Sequence, residues 1–252
     1  MRLVLRTLLA GKRKPNVRQE KLMCAQPQKS AGTLALAILL LTVLLRSAGS
    51  YAAGPATVAF SLDFPGSDPA RYSITVESDG HSHYDCSAKV SADSTDTEEY
   101  QSDFTVSAAT RDRIFDLAAR AHYFSGKVDS GKKKLAFTGN KKLSYTDGQR
   151  NFTASYNFSF EPAVQELTSL FQGMSATLEY GRHLVFYHRY QKLGLDEELK
   201  AMEDEARRGN LAELQAVRPI LQEIYDDPSV INVVRARAQV LMQMGSGGPS
   251  GR

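Results

Sequence analysis

Hydrophobic and polar residues alternate along the chain from residue 57, and this period of two is typical of half-buried β-strands. The first run carries Val58, Phe60 and Leu62 between small or polar neighbours. Two further runs, over residues 71–77 and 81–90, lie on either side of a Ser-Asp-Gly sequence and predict a hairpin. This part of the chain is therefore predicted to form an antiparallel sheet.

The register of that hairpin follows from the requirement that opposed residues share one face of the sheet. A two-residue turn would set apolar residues against polar ones. A three-residue loop that ends at Gly80 instead pairs Tyr72 with Cys86 and Ile74 with Tyr84. Glycine suits the last position of such a loop, where the backbone is left-handed. The sequence thus predicts the three-residue loop.

Two helices and a second hairpin follow. Ser107 is placed to cap a helix that runs to about His122, and Pro162 suits the first turn of a helix over residues 162–178. Between these helices the sequence predicts a short strand at residues 135–137. The hairpin comes next, with a two-residue Asp147-Gly148 turn that sets Leu143 opposite Phe152.

From about residue 179 the apolar residues recur at helical spacing. One helix has acidic residues 196–198 in its first turn, arginines in its last turn and Gly209 as its stop. Asn210 with Glu213 resembles a capping box that would begin the next helix, which Pro219 must end or kink. The sequence Asp227-Pro228 is expected to begin the last helix.

These patterns predict an α+β fold. We expect an antiparallel sheet of about five to six strands with two covering helices over residues 54–178. An all-helical region over residues 179–244 follows, and residues 245–252 are expected to be disordered.

The order of these elements forms a recognisable pattern. Arg71–Val76 is followed by Asp79-Gly80 and Tyr84, the first helix ends in Tyr123-Phe124, and a second Asp-Gly turn follows Leu143. Over roughly residues 58–174 this pattern resembles a family of uncharacterised secreted bacterial α+β domains, a resemblance that implies a fold and no activity. Residues 220–241 are similar to a single helical-repeat unit, which must bury its apolar face on its neighbours or on a partner.

The first 53 residues have the composition of a secretory signal peptide. A basic leader precedes an apolar segment over residues 31–45, and small residues follow up to Ala52, after which we expect cleavage. The uninterrupted apolar core, Leu34–Leu45, spans only about 18 Å as a helix, which is less than the thickness of a bilayer core. Translation from Met1 or from Met23 fits this interpretation. We expect a periplasmic or secreted protein; the alternative is an inner-membrane anchor at residues 31–45.

Removal of this segment changes the charge of the protein. Nine of the 31 basic and one of the 28 acidic residues precede residue 53, which leaves 22 basic and 27 acidic residues in the predicted mature chain. This acidic excess argues against nucleic acid as a partner. Cys24 lies in the leader, so Cys86 is left as a single thiol that we expect to be a small buried hydrophobe.

One group of residues has the composition of a metal site. His81, His83 and Asp85 share one face of the predicted strand, with about 7 Å between neighbours. Two imidazoles and a carboxylate suit zinc or copper, and a solvent-facing polar stripe is the competing interpretation. A metal-binding protein or metal-dependent enzyme built on these residues is therefore the second hypothesis.

The first hypothesis is a non-enzymatic domain. The predicted mature sequence contains no Gly-x-Ser-x-Gly elbow, His-Glu-x-x-His helix or Cys-x-x-Cys pair. We expect a domain without a cofactor that binds a protein or an envelope component through the open face of the sheet or through the helical region. Membrane contact is expected only through the N-terminal segment, if it is not cleaved.

Overall fold

Six antiparallel strands form one sheet in the order β4-β3-β2-β1-β5-β6 in the computed structural model, which describes residues 54–89, 96–132 and 134–246. The strands are β1 Thr57–Asp63, β2 Arg71–Glu77, β3 His81–Lys89, β4 Thr97–Thr105, β5 Asn140–Thr146 and β6 Asn151–Tyr156. The helices are α1 Ala108–Arg120, α2 Pro162–Tyr190, α3 Leu195–Arg208, α4 Arg218–Asp226 and α5 Asn232–Ser246. The predicted α+β fold class is confirmed.

The first hairpin has the predicted register. Tyr72 pairs with Cys86, Ile74 pairs with Tyr84, and the loop ends at Gly80 with a φ of 97°. These four opposed side chains are all buried on one face of the sheet. The requirement that paired residues share a face was therefore enough to fix this loop length.

The predicted register of the second hairpin is wrong by two residues. Leu143 pairs with Ala154, and Phe152 lies opposite Tyr145. The turn has four residues because the carboxylate of Asp147 accepts hydrogen bonds from the backbone N–H groups of the second and third residues after it, at 2.8 and 2.7 Å. This local hydrogen bonding competes with the tighter turn, and a shift of two residues leaves the apolar face unchanged.

The strand predicted at residues 135–137 is also wrong, since the chain there is irregular and β5 begins only at Asn140. The side chain of Asn157 takes the place of a strand partner. Its Oδ1 accepts a hydrogen bond from the Thr138 N–H, and its Nδ2 donates one to the Ala136 carbonyl, both at 2.9 Å. Backbone groups that a strand would have paired are thus satisfied by a side chain.

Helices α1 and α2 cover one face of the sheet and form the first core. Ser107 caps α1 as predicted, because its hydroxyl accepts a hydrogen bond from the Thr110 N–H at 3.2 Å. The rings of Phe60 on β1 and Phe171 on α2 stack with their centroids 5.4 Å apart. Side chains on the opposite face of the strands are exposed or half-buried, and we call this the open face.

Helix α2 is longer than the predicted 162–178, because it continues without a break to Tyr190. Apolar residues of the first core extend to Leu178 on this helix, and those of a second core begin at Leu184. The second core is formed with α3, α4 and α5. One helix therefore passes from the sheet into the helical region.

Two predicted helix starts in the helical region are wrong. Glu213 does not form a capping box, since its φ is 57° and its carboxylate accepts hydrogen bonds from the Ser107 N–H and hydroxyl at 2.8 and 2.9 Å. Only a short 3-10 helix, Leu214–Val217, precedes Pro219, which lies in the first turn of α4. Asp227 follows α4, and α5 begins only at Asn232. A contact to the distant start of α1 thus replaces the local capping pair.

The described residues belong to one compact unit, and both cores lie within it. A chain that begins at Ala53 keeps every described strand, helix and core residue, so we expect it to fold by itself. The predicted signal segment and residues 247–252 of the predicted disordered tail lie outside the described residues; Gly245, in contrast, is helical. Within the described ranges, no helix is both long enough and apolar enough to cross a bilayer.

Candidate functional site

The three residues predicted as a metal site lie on the open face of β3. His83 Nδ1 is 2.7 Å from a carboxylate oxygen of Asp103, and Asp85 accepts a hydrogen bond from Gln101 at 2.9 Å. Two of the three candidates, His83 and Asp85, therefore contact side chains on β4. In the part of the chain that the structure describes, no three His, Cys, Asp or Glu side chains are grouped closely enough to hold a metal. The metal hypothesis stays a prediction without a contact in its favour.

A polar cluster lies buried between the sheet and α2, and the sequence analysis missed it. Glu179 accepts hydrogen bonds from the Tyr84 hydroxyl at 2.7 Å and from the Cys86 thiol at 3.3 Å. Its other oxygen accepts two hydrogen bonds from the Arg182 guanidinium, at 3.0 and 2.9 Å. The side chains of Glu179 and Arg182 are only 10% and 6% exposed. We call these four residues the Glu179 cluster.

The environment of the Glu179 cluster keeps the Tyr84 hydroxyl and the Cys86 thiol protonated. Burial, together with the nearby carboxylate of Glu179, raises the pKa of the Cys86 thiol to about 12. The same two causes raise the pKa of Tyr84 far above its usual value. Burial by itself would lower the pKa of Arg182, but its pairing with Glu179 raises it. A protonated thiol is a poor nucleophile, so this arrangement suits a structural role.

A cleft of about 470 Å³ lies beside the cluster, between the loop that joins β1 to β2 and helices α2 and α3. Glu179, His183, Glu198 and Asp68 contribute to its wall. His183 Nδ1 is 2.8 Å from Glu198, and its Nε2 is 3.2 Å from the guanidinium of Arg182. Since its histidine and two of its carboxylates contact other charged side chains, the wall holds α2 and α3 together.

Exposed apolar side chains gather at one end of the helical region. Leu193, in the turn between α2 and α3, is 99% exposed, and Tyr190, at the end of α2, is 64% exposed. Ile231, just before α5, and Val233, in its first turn, are 64% and 51% exposed. We call these four residues the helical-end patch.

A hydrogen-bond network fixes the two segments that carry this patch. The carboxylate of Asp227 contacts His188 Nε2 at 2.9 Å and Lys192 Nζ at 2.5 Å. Lys192 also donates a hydrogen bond to the Ser229 hydroxyl at 2.6 Å. The turn after α2 and the turn before α5 are thereby joined, so the exposed side chains are held on an ordered surface.

No protein-family model matches the chain, and a search of curated proteins found no match. The resemblance to secreted bacterial α+β domains therefore stays a prediction.

Proposed function

We propose that this protein is an exported, non-enzymatic domain that binds a partner protein through the helical-end patch. The observation that carries the proposal is the exposure of Leu193, beside Tyr190, on a turn that hydrogen bonds fix in place. Exposed apolar groups that are rigidly presented are typical of protein interaction sites, and tyrosine is enriched among residues that dominate binding energy. The open face of the sheet, by contrast, presents serine, threonine and charged side chains.

Export is supported by the position of the fold in the chain. The basic leader and apolar segment precede the first described strand, β1, which begins at Thr57, a few residues after the predicted cleavage position. Determination of the N-terminus of the exported protein tests this part of the proposal. A terminus near Ala53 supports it, and an intact leader on the membrane-bound protein would favour the retained anchor.

The binding surface is best tested by point substitution. Truncation after Tyr180 would remove the last ten residues of α2 and expose both cores, so its result would be ambiguous. We expect Leu193→Asp to abolish capture of a partner from detergent-solubilised envelope extracts. Leu193 makes little contact with the rest of the chain, so the stability of this variant should lie within about 0.5 kcal/mol of the wild type.

The matched control is Phe160→Asp, which alters an exposed apolar side chain just before the other end of α2. A partner that is retained by Phe160→Asp and lost by Leu193→Asp supports the proposal. Equal capture by both variants would refute it. If light scattering shows that the wild type is a dimer and Leu193→Asp a monomer, the partner is a second copy of this chain.

A further inference from the structure

A second exposed apolar surface lies at the other end of α2. Leu135 and Phe137, in the segment between α1 and β5, are 40% and 55% exposed. Phe158 and Phe160, in the segment between β6 and α2, are 38% and 56% exposed. The rings of Phe158 and Phe160 pack edge to face, with their centroids 5.4 Å apart.

Hydrogen bonds join these two segments into one surface. The Ser130 N–H donates to the Phe158 carbonyl at 2.8 Å, and the Asn157 N–H donates to the carboxylate of Asp129 at 2.9 Å. The side chain of Asn157 binds the backbone of Ala136 and Thr138, as described above. The exposed side chains thus lie on two loops that hydrogen bonds hold together.

Positive charge is concentrated at the same place. Residues 127–142 contain six lysines and one aspartate, although the predicted mature chain as a whole has 22 basic and 27 acidic residues. Lys127, Lys132, Lys134 and Lys142 are exposed, whereas Lys141 is buried. Lys132 Nζ lies 4.6 Å from the centre of the Phe160 ring, and Lys134 is exposed next to Leu135. We call the exposed residues Lys127, Lys132, Lys134, Leu135, Phe137, Phe158 and Phe160 the basic-aromatic tip.

We propose that the basic-aromatic tip binds the surface of a bilayer that contains anionic phospholipids. Exposed phenylalanine and leucine can enter the interfacial region of the bilayer, while the lysines remain at the level of the headgroup phosphates. An acidic protein is repelled by such a surface except where its positive charge is concentrated, so the charge pattern also sets the orientation. Sequence reasoning assigned membrane contact to the N-terminal segment alone; this contact belongs to the folded domain.

The contact is independent of the proposed partner protein. Phe160 precedes the first residue of α2, and Leu193 follows its last residue by three positions. A straight helix of 29 residues is about 43 Å long, so the basic-aromatic tip and the helical-end patch are held far apart. A protein bound to the membrane at the tip would present the patch away from the bilayer.

Co-sedimentation with vesicles tests the proposal, using a chain that begins at Ala53 so that the apolar leader cannot contribute. The vesicles contain phosphatidylcholine alone or with one quarter phosphatidylglycerol. We expect binding to the anionic vesicles only, and we expect it to weaken when sodium chloride is raised from 0.05 to 0.5 M. Loss of each lysine should weaken the partition constant about fivefold, so Lys132→Gln with Lys134→Gln should weaken it roughly 25-fold.

Matched controls distinguish the tip from general effects of charge and hydrophobicity. Lys89→Gln with Lys200→Gln makes the same change in net charge at exposed positions on β3 and α3, and it should change the partition constant by less than about twofold. Phe137→Ser with Phe160→Ser should weaken it roughly tenfold or more. Tyr190→Ser with Leu193→Ser should leave it unchanged, although this pair should abolish capture of the partner protein. A thermal unfolding transition recorded for each variant shows that it is folded.

Several results would overturn the inference. They are equal binding to neutral vesicles, no binding to anionic vesicles at low salt, or losses of the same size in the matched controls. Binding that depends on the lysines but is insensitive to the phenylalanine pair, and that heparin competes equally well, would identify a general polyanion site instead. Since the Tyr190 and Leu193 pair is measured in both assays, failure of this inference and failure of the proposed function can be told apart.

Discussion

Replacement of Glu179 by glutamine tests whether the buried charge pair joins the sheet to the helical region. Glutamine keeps the volume of the side chain, so the change creates no cavity. Its carbonyl can still accept the hydrogen bond from Tyr84, but an amide NH₂ would then face the donors of Arg182. The guanidinium, only 6% exposed, would be left without a buried counter-charge. Glu98 at 3.6 Å would be its remaining acidic neighbour, and that side chain is half exposed.

The expected cost is large because a charge remains buried without its partner. Removal of one member of a buried ion pair typically costs about 3–5 kcal/mol. In a folded unit of this size each kcal/mol lowers the midpoint of thermal unfolding by about 2–4 °C, so Glu179→Gln should lower it by roughly 6–20 °C. The matched control is Glu98→Gln, which breaks the exposed contact to the same arginine and should cost at most about 1 kcal/mol.

Urea unfolding followed by circular dichroism measures both variants. A double variant, Glu179→Met with Arg182→Met, completes the comparison, because two apolar side chains leave no buried charge behind. We expect this double variant to be more stable than Glu179→Gln. The reasoning is refuted if Glu179→Gln costs less than about 1 kcal/mol, or if the double variant is less stable than the single one.

Three further predictions concern the helical region and the thiol. A methyl group at Gly181 would overlap Val217, so Gly181→Ala should cost about 1–2 kcal/mol in urea unfolding despite its better helix propensity, and it should become stabilising in a Val217→Ala background. Hydrogen bonds, foremost from Lys192, lower the pKa of Asp227, so this group contributes stability above pH ~4 that is lost as the pH falls. The difference in unfolding free energy between wild type and Asp227→Asn should therefore shrink as the pH falls from 5 to 2. A difference that stays constant over this range would contradict the prediction. Burial is the main cause, and the charge of Glu179 the second, that raises the pKa of the Cys86 thiol to about 12. The stability that the protonated thiol contributes should therefore be complete below pH ~8.5 and decline above it. Its modification by a thiol reagent at pH 8 should proceed only as fast as unfolding, and rapid labelling of the native protein would refute this.

The alternation of apolar and polar residues predicted the strand register correctly where only one register kept paired residues on a common face. The hairpin ending at Gly80 had one register that kept paired residues on a common face, and that register is observed. At the second hairpin, two registers that differ by two residues both keep the apolar side chains on one face. Hydrogen bonds to the side chain of Asp147 favour the longer turn. The strand predicted at residues 135–137 failed because Asn157, some twenty residues away, satisfies its backbone. Periodicity carries no information about such side-chain partners.

The Glu179 cluster could have been found in part from the sequence. Glu179 and Arg182 have the spacing i and i+3, and Ser175, whose hydroxyl lies 3.3 Å from that of Tyr84, precedes Glu179 by four residues, so all three lie on one face of a helix. Polar residues at these positions, next to apolar residues of the same face, indicate a buried network. Their partners Tyr84 and Cys86 are more than 90 residues away along the chain, so the pairing could not be read from spacing.

The position of the Glu179 cluster explains how the two proposed surfaces can act together. On α2 the cluster lies between Leu178, the last residue of the first core on this helix, and Leu184, the first buried residue of the second core. Apolar contacts tolerate sliding and repacking, whereas a charge pair with directed hydrogen bonds permits one geometry. Because Glu179 binds both β3 and its own helix, it fixes the rotation of α2 relative to the sheet. The helical-end patch then keeps one orientation relative to the basic-aromatic tip. Under the two proposals, a partner bound at the patch would therefore meet the bilayer-bound domain in a single arrangement, because α2 holds the two surfaces rigidly apart.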